Sequence, residues 1–300
     1  MPEHPLVSII INCFNGEKYL REALNSVTMQ TYKNWEIIFW DNQSTDKSAE
    51  IFKSYQDSRL KYYLATSHAE ILYKARNYAL KRTTGDFIAF LDVDDWWLPN
   101  KLEQQIPLFD DPKVGLVYGN LWWFFEKKKK KKIIKKKTLP TGMILDELLH
   151  ENVIGSPTYV IRKQSLESLK YFFNDHFHII GDYDLYVRLA AKWKFNCVQS
   201  PVAYARIHEK NESLLNKNKE IQEMKIWYAE MKKDHIISSQ KGLNKIPLQI
   251  SYLETMESIL RDGFRKNFFK VITYPFCSKK LKLIIALLLP KFVLKKIKNY

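Results

Sequence analysis

Phe90-Leu91-Asp92-Val93-Asp94-Asp95-Trp96-Trp97 is the stretch on which the reading of this chain turns. Its first two residues close the apolar run Phe87-Ile88-Ala89-Phe90-Leu91, which has the length and composition of a buried strand. Three carboxylates then follow within four residues. Carboxylates at a strand's C-terminal end are costly to desolvate unless something cationic meets them. A hard divalent cation carrying a diphosphate is one such partner, because Mn²⁺ or Mg²⁺ takes few carboxylates and completes its shell with phosphate oxygens. A plainer reading makes the cluster an acidic turn, with Asp95 as the N-cap of a helix beginning at Trp96.

The residues before this stretch alternate strand-like and helix-like patterns. Val7 to Ile11 is an apolar, β-branched run ending at Asn12-Cys13-Phe14-Asn15-Gly16, and Glu17 to Met29 has helical periodicity through Leu20, Ala23, Leu24 and Val27. Glu36 to Trp40 reads as a second strand ending at Asp41, Asp46 to Tyr55 as a helix, Leu60 to Leu64 as a short strand and Ile71 to Lys81 as a helix. Such alternation with short links argues for a parallel sheet covered on both faces. In these sheets ligands bind beyond the C-terminal strand ends, near the switch in strand order. Asn12 to Asn15, Asp41 and Asp92 to Asp95 all fall at such ends, so three polar clusters converge on one sheet edge.

Composition bounds the rest. The 300 residues are 46% hydrophobic and 14% aromatic, enough for a sizeable core. Cys13, Cys197 and Cys277 share no metal-like or redox spacing, which fits a reducing compartment. No secretory leader pattern precedes the first apolar run. The net charge of +15 is unevenly placed, with residues 127–132 all Lys and further Lys at 135–137. Such an excess suits an anionic partner, or a solvated loop. No zinc finger or RNA-recognition signature stands in the chain, which disfavours nucleic acid.

The second half is less regular. Val114 to Tyr118, Leu121 to Phe125 and Thr158 to Ile161 read as strands, and Leu145 to Leu149 and Leu185 to Lys192 as helices. Residues 217–265 read as mainly helical. In the tail, Leu281 to Ile297, the longest apolar run has seven residues, against the roughly twenty that span a bilayer. Its mixture of Leu, Phe and Lys suits a helix lying in a membrane interface, or a core-packing helix.

Val7-Ser8-Ile9-Ile10-Ile11-Asn12-Cys13-Phe14-Asn15, Trp40-Asp41-Asn42-Gln43-Ser44-Thr45-Asp46, Ala75-Arg76-Asn77 and the Asp92–Asp95 cluster, in this order, resemble the family 2 glycosyltransferases. The resemblance covers roughly residues 5–210 and implies the GT-A fold, a Rossmann-like mixed sheet with helices on both faces, and inverting sugar transfer. It implies a catalytic domain over 1–210, with a nucleotide half over about 1–100 and an acceptor half over about 101–210. A helical extension over 211–300 ends in the basic amphipathic tail. Carried across, Asn12, Cys13, Phe14 and Asn15 line the nucleotide-sugar site, Asp41 meets the base, and Arg76 lies against the nucleotide and diphosphate. Asp92 and Asp94 match the D-x-D element, with Asp94 or Asp95 the most direct ligand of Mn²⁺ or Mg²⁺. Arg206-Ile207-His208 resembles a stretch that places a His near the diphosphate or metal.

Gly181-Asp182-Tyr183-Asp184-Leu185 resembles the segment that carries the catalytic base, which would be Asp182, with Asp184 as second choice. Gly181 stands where that segment has an acidic residue, and Ile71-Leu72-Tyr73 stands where a glycine is often found. Asn42 replaces a frequent Asp, and Cys13 a frequent Thr. Asp182 could instead cap its helix, Asp41 could begin an Asx-turn, and Arg76 could be a surface cation. Trp96, Trp97, Trp122 and Trp123 suit sugar stacking or core packing.

The expected activity is transfer from a nucleotide-diphosphate sugar, with a UDP-sugar the favoured donor, to a glycan or lipid-linked acceptor in surface polysaccharide synthesis. The expected location is the cytoplasm, at the inner face of the cell membrane through its anionic lipids. A sugar nucleotidyltransferase would need a glycine-rich loop after the first strand, where only Gly16 occurs. A non-catalytic binder of anionic membrane or polymer would not need the acidic positions that are all present.

Overall fold

The computed structural model describes residues 4–134, 138–290 and 293. The chain divides into two compact units, Met1–Arg206 and Ile207–Tyr300, four residues before the boundary expected from composition. The first unit holds the strands β1 (Val7–Cys13), β2 (Trp35–Asp41), β3 (Leu60–Leu64), β4 (Phe87–Phe90), β5 (Trp96–Trp97), β6 (Val114–Phe125), β7 (Lys130–Ile133), β8 (Val160–Arg162) and β9 (Lys194–Ile207). Its helices are α1 (Leu20–Thr28), α2 (Ser48–Lys53), α3 (Leu72–Leu80), α4 (Lys101–Gln105), α5 (Leu145–His150), α6 (Lys163–Glu167) and α7 (Gly181–Ala190).

The strands form one mixed sheet in the order β3-β2-β1-β4-β8-β6-β9-β5, with β7 added on β6. β3, β2, β1 and β4 are parallel, and β8 enters antiparallel beside β4. Every residue of β2 and nearly every residue of β1 is buried, as expected for strands covered on both faces. Val7, Ile9 and Ile11 pack with Leu20, Leu24 and Val27 of α1 and with Phe39 and Phe52. The strand order reverses between β1 and β4, so their C-terminal ends open a crevice there. Cys13 pairs with Asp41, so the ends of β1 and β2 also lie side by side.

The segment at Trp96–Trp97 and the lysine run differ from the sequence reading. Trp96-Trp97 is a strand pairing with Tyr204 and Ala203, not a helix capped by Asp95, and the next helix begins at Lys101. Trp97 belongs to the core, while Trp96 stacks on Tyr204 with ring centres 4.7 Å apart. The lysine run is a hairpin: Trp122 to Phe125 of β6 pair with Ile133 to Lys130 of β7. Lys129 turns the chain at φ 51°. Backbone pairing needs no particular side chain, and edge lysines oppose further strand addition. The 135–137 lysines lie outside the described residues.

The second unit is helical: α8 (Glu212–Leu215), α9 (Lys217–Met231), α10 (His235–Ser238), α11 (Ile246–Asp262), α12 (Phe264–Thr273) and α13 (Ser278–Leu288). Ile259, Val271, Tyr274, Leu283, Ala286 and Leu287 form a small core. The expected tail helix is therefore packed on one face by Leu283, Ala286 and Leu287, while Leu281, Ile284, Ile285 and Leu288 stay exposed. Most of the expected stretch beyond Pro290 lies outside the described residues. Among the described residues no helix is long and apolar enough to cross a membrane.

Candidate active site

At the ends of β1 and β2 the polar residues are held by neutral groups. Asp41 is 1% exposed; its Oδ1 accepts the Ser44 N–H at 2.8 Å and its Oδ2 the Tyr62 hydroxyl at 2.6 Å. The Asx-turn reading of Asp41 is thus part of its geometry, and a carboxylate with two lone pairs per oxygen keeps acceptor capacity. Asn42 accepts the Ala69 N–H and donates to the Ala69 carbonyl, a pair of hydrogen bonds that a carboxylate could not make. Asn15, at φ 53°, accepts the Thr45 N–H. The Asn12 amide has both polar atoms buried without a hydrogen-bond partner. Such a group is costly unless a ligand meets it. Cys13 is buried, and burial pushes its thiol up, so it is no thiolate nucleophile. Phe14 stays half exposed, its ring 4.4 Å from that of His68.

At the end of β4 the arrangement is ionic. Arg76 is 1% exposed rather than a surface cation. Its Nη2 donates to Asp92 Oδ1 at 2.6 Å and its Nη1 to Asp182 Oδ1 at 2.7 Å. Burial alone would lower its pKa, but Asp182 and Asp92 outweigh burial and hold the guanidinium charged. Asp182 Oδ1 also accepts the Tyr159 hydroxyl at 2.8 Å. Its Oδ2 has longer contacts, with Ser156 Oγ at 3.2 Å and the Tyr73 hydroxyl at 3.3 Å. Asp182 lies in the first turn of α7, whose N-cap residue, Ile180, supplies no side-chain hydrogen bond to it. Burial pushes the Tyr159 and Tyr73 hydroxyls well above the usual tyrosine range, so both remain donors.

The helix α3 organises this arrangement. Tyr73, Arg76 and Asn77 sit three and four residues apart, on one helix face. Asn77 donates to the Phe173 carbonyl and accepts its N–H, tying down the segment that leads to Asp182. Asp184, the second choice for the base, does not join this cluster. It is fully buried two residues on and paired with Arg188, whose guanidinium also holds the Tyr171 and Phe172 carbonyls.

The three carboxylates of the opening stretch also separate. Asp95 Oδ1 accepts the Arg206 N–H at 2.8 Å from β9, so its carboxyl is turned into the fold. Burial, then Asp94 and Asp92, push the Asp95 carboxyl well above its usual range. Asp92 is raised too, by burial and by Asp94 and Asp182, more than Arg76 offsets. A cation near Asp92 and Asp94 would relieve this repulsion, and a site of one or two carboxylates plus phosphate is what Mg²⁺ or Mn²⁺ uses. Among the described residues no three His, Cys, Asp or Glu side chains close on a common metal position. His208, expected beside the metal, falls in the second unit, where its Nδ1 accepts the Lys210 N–H at 3.2 Å.

Arg206 is a site feature the sequence reading passed over. Its Nε donates to the Asp94 carbonyl at 2.9 Å, and its guanidinium lies over Tyr19 and Trp96 and pairs with Glu22. Ser156 and Tyr159 were passed over, and Tyr73 entered only as part of the segment standing where a glycine is often found. A depression of about 1000 Å³, lined by His4, Thr31, Asn34 and Asp110 among others, lies by the start of β1 and β2, away from these carboxylates.

The sequence pattern of the family described as "Glycosyl transferase family 2" matches residues 8–170, more than half of the chain. The chain belongs to glycosyltransferase family 2. It is therefore an enzyme of that class, with the GT-A fold and a helical C-terminal region. It is 43% identical over 115 residues to an Escherichia coli protein named UDP-Glc:alpha-D-GlcNAc-diphosphoundecaprenol beta-1,3-glucosyltransferase, across 38% of this chain and 45% of that one. The chain thus matches less than half the length of this curated relative. Among solved structures, residues 1–349 of Staphylococcus aureus TarS with UDP-GlcNAc align over 94% of this chain and 81% of TarS, at TM-score 0.65 and 17% identity. A Pyrobaculum calidifontis mannosyltransferase with GDP-Man and Mn²⁺ aligns over 100% of this chain and 85% of its own, at TM-score 0.65 and 15% identity. These two likenesses establish the fold shared with glycosyltransferases.

Proposed function

We propose that this glycosyltransferase moves a sugar from a UDP-sugar to a lipid-linked saccharide, with inversion, using Asp182 as general base. The observation that carries the reading is Arg76, buried and bonded at once to Asp182 and to Asp92. One guanidinium thereby fixes the distance between the group that takes a proton and the donor side of the site. Asp182 Oδ1 is occupied by Arg76 and Tyr159, which leaves Oδ2 to accept the acceptor hydroxyl's proton. The hydroxyl oxygen attacks the anomeric carbon while the nucleoside diphosphate departs on the opposite side, so no covalent sugar–enzyme bond forms. Asp94, with Asp92, would hold Mn²⁺ or Mg²⁺, which when bound offsets charge growing on the diphosphate. Asn12, Phe14, Asn15 and Asp41 would receive the nucleoside, Asn12 supplying the amide that the protein leaves unpaired. The UDP and lipid-linked substrates are supported by the names of the Escherichia coli relative and the TarS complex. The acidic cluster and the Mn²⁺ bound to the mannosyltransferase support the metal.

Contact with an anionic membrane surface would bring the enzyme to such an acceptor at the inner leaflet. α12, α13 and their link leave Phe269, Ile272, Phe276, Leu281, Ile285 and Leu288 exposed. Residues 263–290 contain Lys and Arg but no Asp or Glu. This combination suits an interface between headgroups and acyl chains. Co-sedimentation with phosphatidylglycerol vesicles should fall sharply for the double change Phe269→Glu and Leu288→Glu; unchanged sedimentation would remove the membrane contact.

The catalytic reading is tested by UDP release from a panel of UDP-sugars, with membrane lipid extract as acceptor, with and without Mn²⁺ or after EDTA. Turnover that needs the metal and disappears in Asp94→Ala is expected. Equal turnover in EDTA would overturn the metal assignment.

A further inference from the structure

The first residue of α7 is a glycine that the helix itself does not require. The glycines with positive φ are Gly142 and Gly263 among the described residues, so Gly181 is not there for a left-handed turn. A glycine within a helix is generally unfavourable relative to alanine. The reason for Gly181 is space: a Cβ there would lie 2.4 Å from Cδ2, 2.5 Å from Cε2 and 2.6 Å from Cγ of Tyr73. The Tyr73 ring cannot easily yield, since it is buried and stacked on Phe173. Tyr73 and Gly181 are therefore a matched pair, a large side chain against none.

The pairing puts the Tyr73 hydroxyl 3.1 Å from the Ile179 carbonyl and 3.3 Å from Asp182 Oδ2. One hydroxyl proton serves one of these acceptors at a time, so Tyr73 bridges the start of α7 to the carboxylate. One helical turn on, Arg76 holds the other oxygen, Oδ1. The single helix α3 thus addresses both oxygens of Asp182.

We propose that Tyr73 is a positioning residue for Asp182: its ring, seated against Gly181, and its hydroxyl set the direction of Oδ2. This rests on Asp182 being the base. Without the hydroxyl, Oδ2 keeps only the Ser156 contact among those described above, and the carboxylate turns more freely about its own axis. Small misplacements of a reacting group cost large factors in rate, up to roughly a hundredfold per ångström.

The test compares Tyr73→Phe, Gly181→Ala and Asp182→Asn with wild type, using UDP release for kcat and KM, and UDP titration calorimetry for binding. Tyr73→Phe keeps the ring and should lower kcat roughly tenfold while donor KM and UDP affinity stay within about twofold. Gly181→Ala should lower kcat further by displacing the ring. That loss should vanish in a Tyr73→Ala background, where the new methyl has room. Wild-type kcat in Tyr73→Phe, or equal changes in kcat, KM and thermal stability, would overturn the positioning role. If Asp182→Asn is inactive in that case, the base reading survives; if Asp182→Asn turns over like wild type, the base reading itself falls.

Discussion

The ends of β1 and β2 hold their acidic residue with neutral donors, whereas the junction of β4 and α7 holds its acidic residues with a buried guanidinium. Asp41 is gripped by a backbone N–H and a phenol, which fix its direction without supplying countercharge. Asp92 and Asp182 share Arg76, which supplies one positive charge to two carboxylates. The difference follows the chemistry proposed for each place. An uncharged nucleobase needs fixed hydrogen-bond partners. A diphosphate leaving and a hydroxyl losing its proton change the local charge, so groups there must already be charged and held still.

Changes on the two sides should therefore fail in different ways. Asp182→Asn should cost about 10²- to 10⁴-fold in kcat, the usual contribution of a positioned base, with UDP affinity little changed; loss of UDP binding instead would move Asp182 to the donor side. Arg76→Met should cost about 2–3 kcal/mol in urea unfolding, below the roughly 3–5 kcal/mol of a fully buried pair, because it leaves two partly buried carboxylates, 31% and 17% exposed, without their counterion; an unfolding midpoint like that of wild type would mean the network carries no stability. Asp41→Ala should raise donor KM about tenfold, or ~1.4 kcal/mol, with kcat nearly intact. A fall in kcat of that size would erase the distinction between the two regions.

A smaller effect is expected at the opposite end of β2. Glu36 is buried, which opposes its charge, but Lys61, Ser8 and Thr84 outweigh burial and hold its carboxyl below the usual range. A folded-state pKa below the unfolded value contributes stability that is present above the unfolded pKa and lost as pH falls through the folded one. Wild type should exceed Glu36→Gln by about 1 kcal/mol near pH 7. The gap should close as pH drops below about 4.3, the unfolded glutamate value. A gap that widens in acid would reverse the assigned sign.

The parallel half of the fold was legible because β1, β2 and β4 are short apolar runs leading into Asn or Asp, and β1, β2 and β3 pair in sequence order. β9 was missed because Lys194–Ile207 mixes Asn, Gln, Ser and Pro with apolar residues and pairs with distant segments. The proposal of Asp182 as base came only through the resemblance. Asp184 differs from Asp182 in having an i+4 ion-pair partner, Arg188, and that spacing was readable in the sequence. Tyr73, Ser156 and Tyr159 had no such signal, because a single hydroxyl has no period or charge and acquires its role only when α3, β8 and α7 meet. The same holds for Gly181, whose purpose is visible only beside the Tyr73 ring.

The central claim is a direct displacement assisted by Asp182, and the anomeric configuration of the product tests it most directly. A proton NMR spectrum of the sugar transferred from the α-linked UDP-sugar that turns over should show the large anomeric coupling of a β-linked gluco- or galacto-configured product. A small coupling, indicating a retained α linkage, would contradict the account.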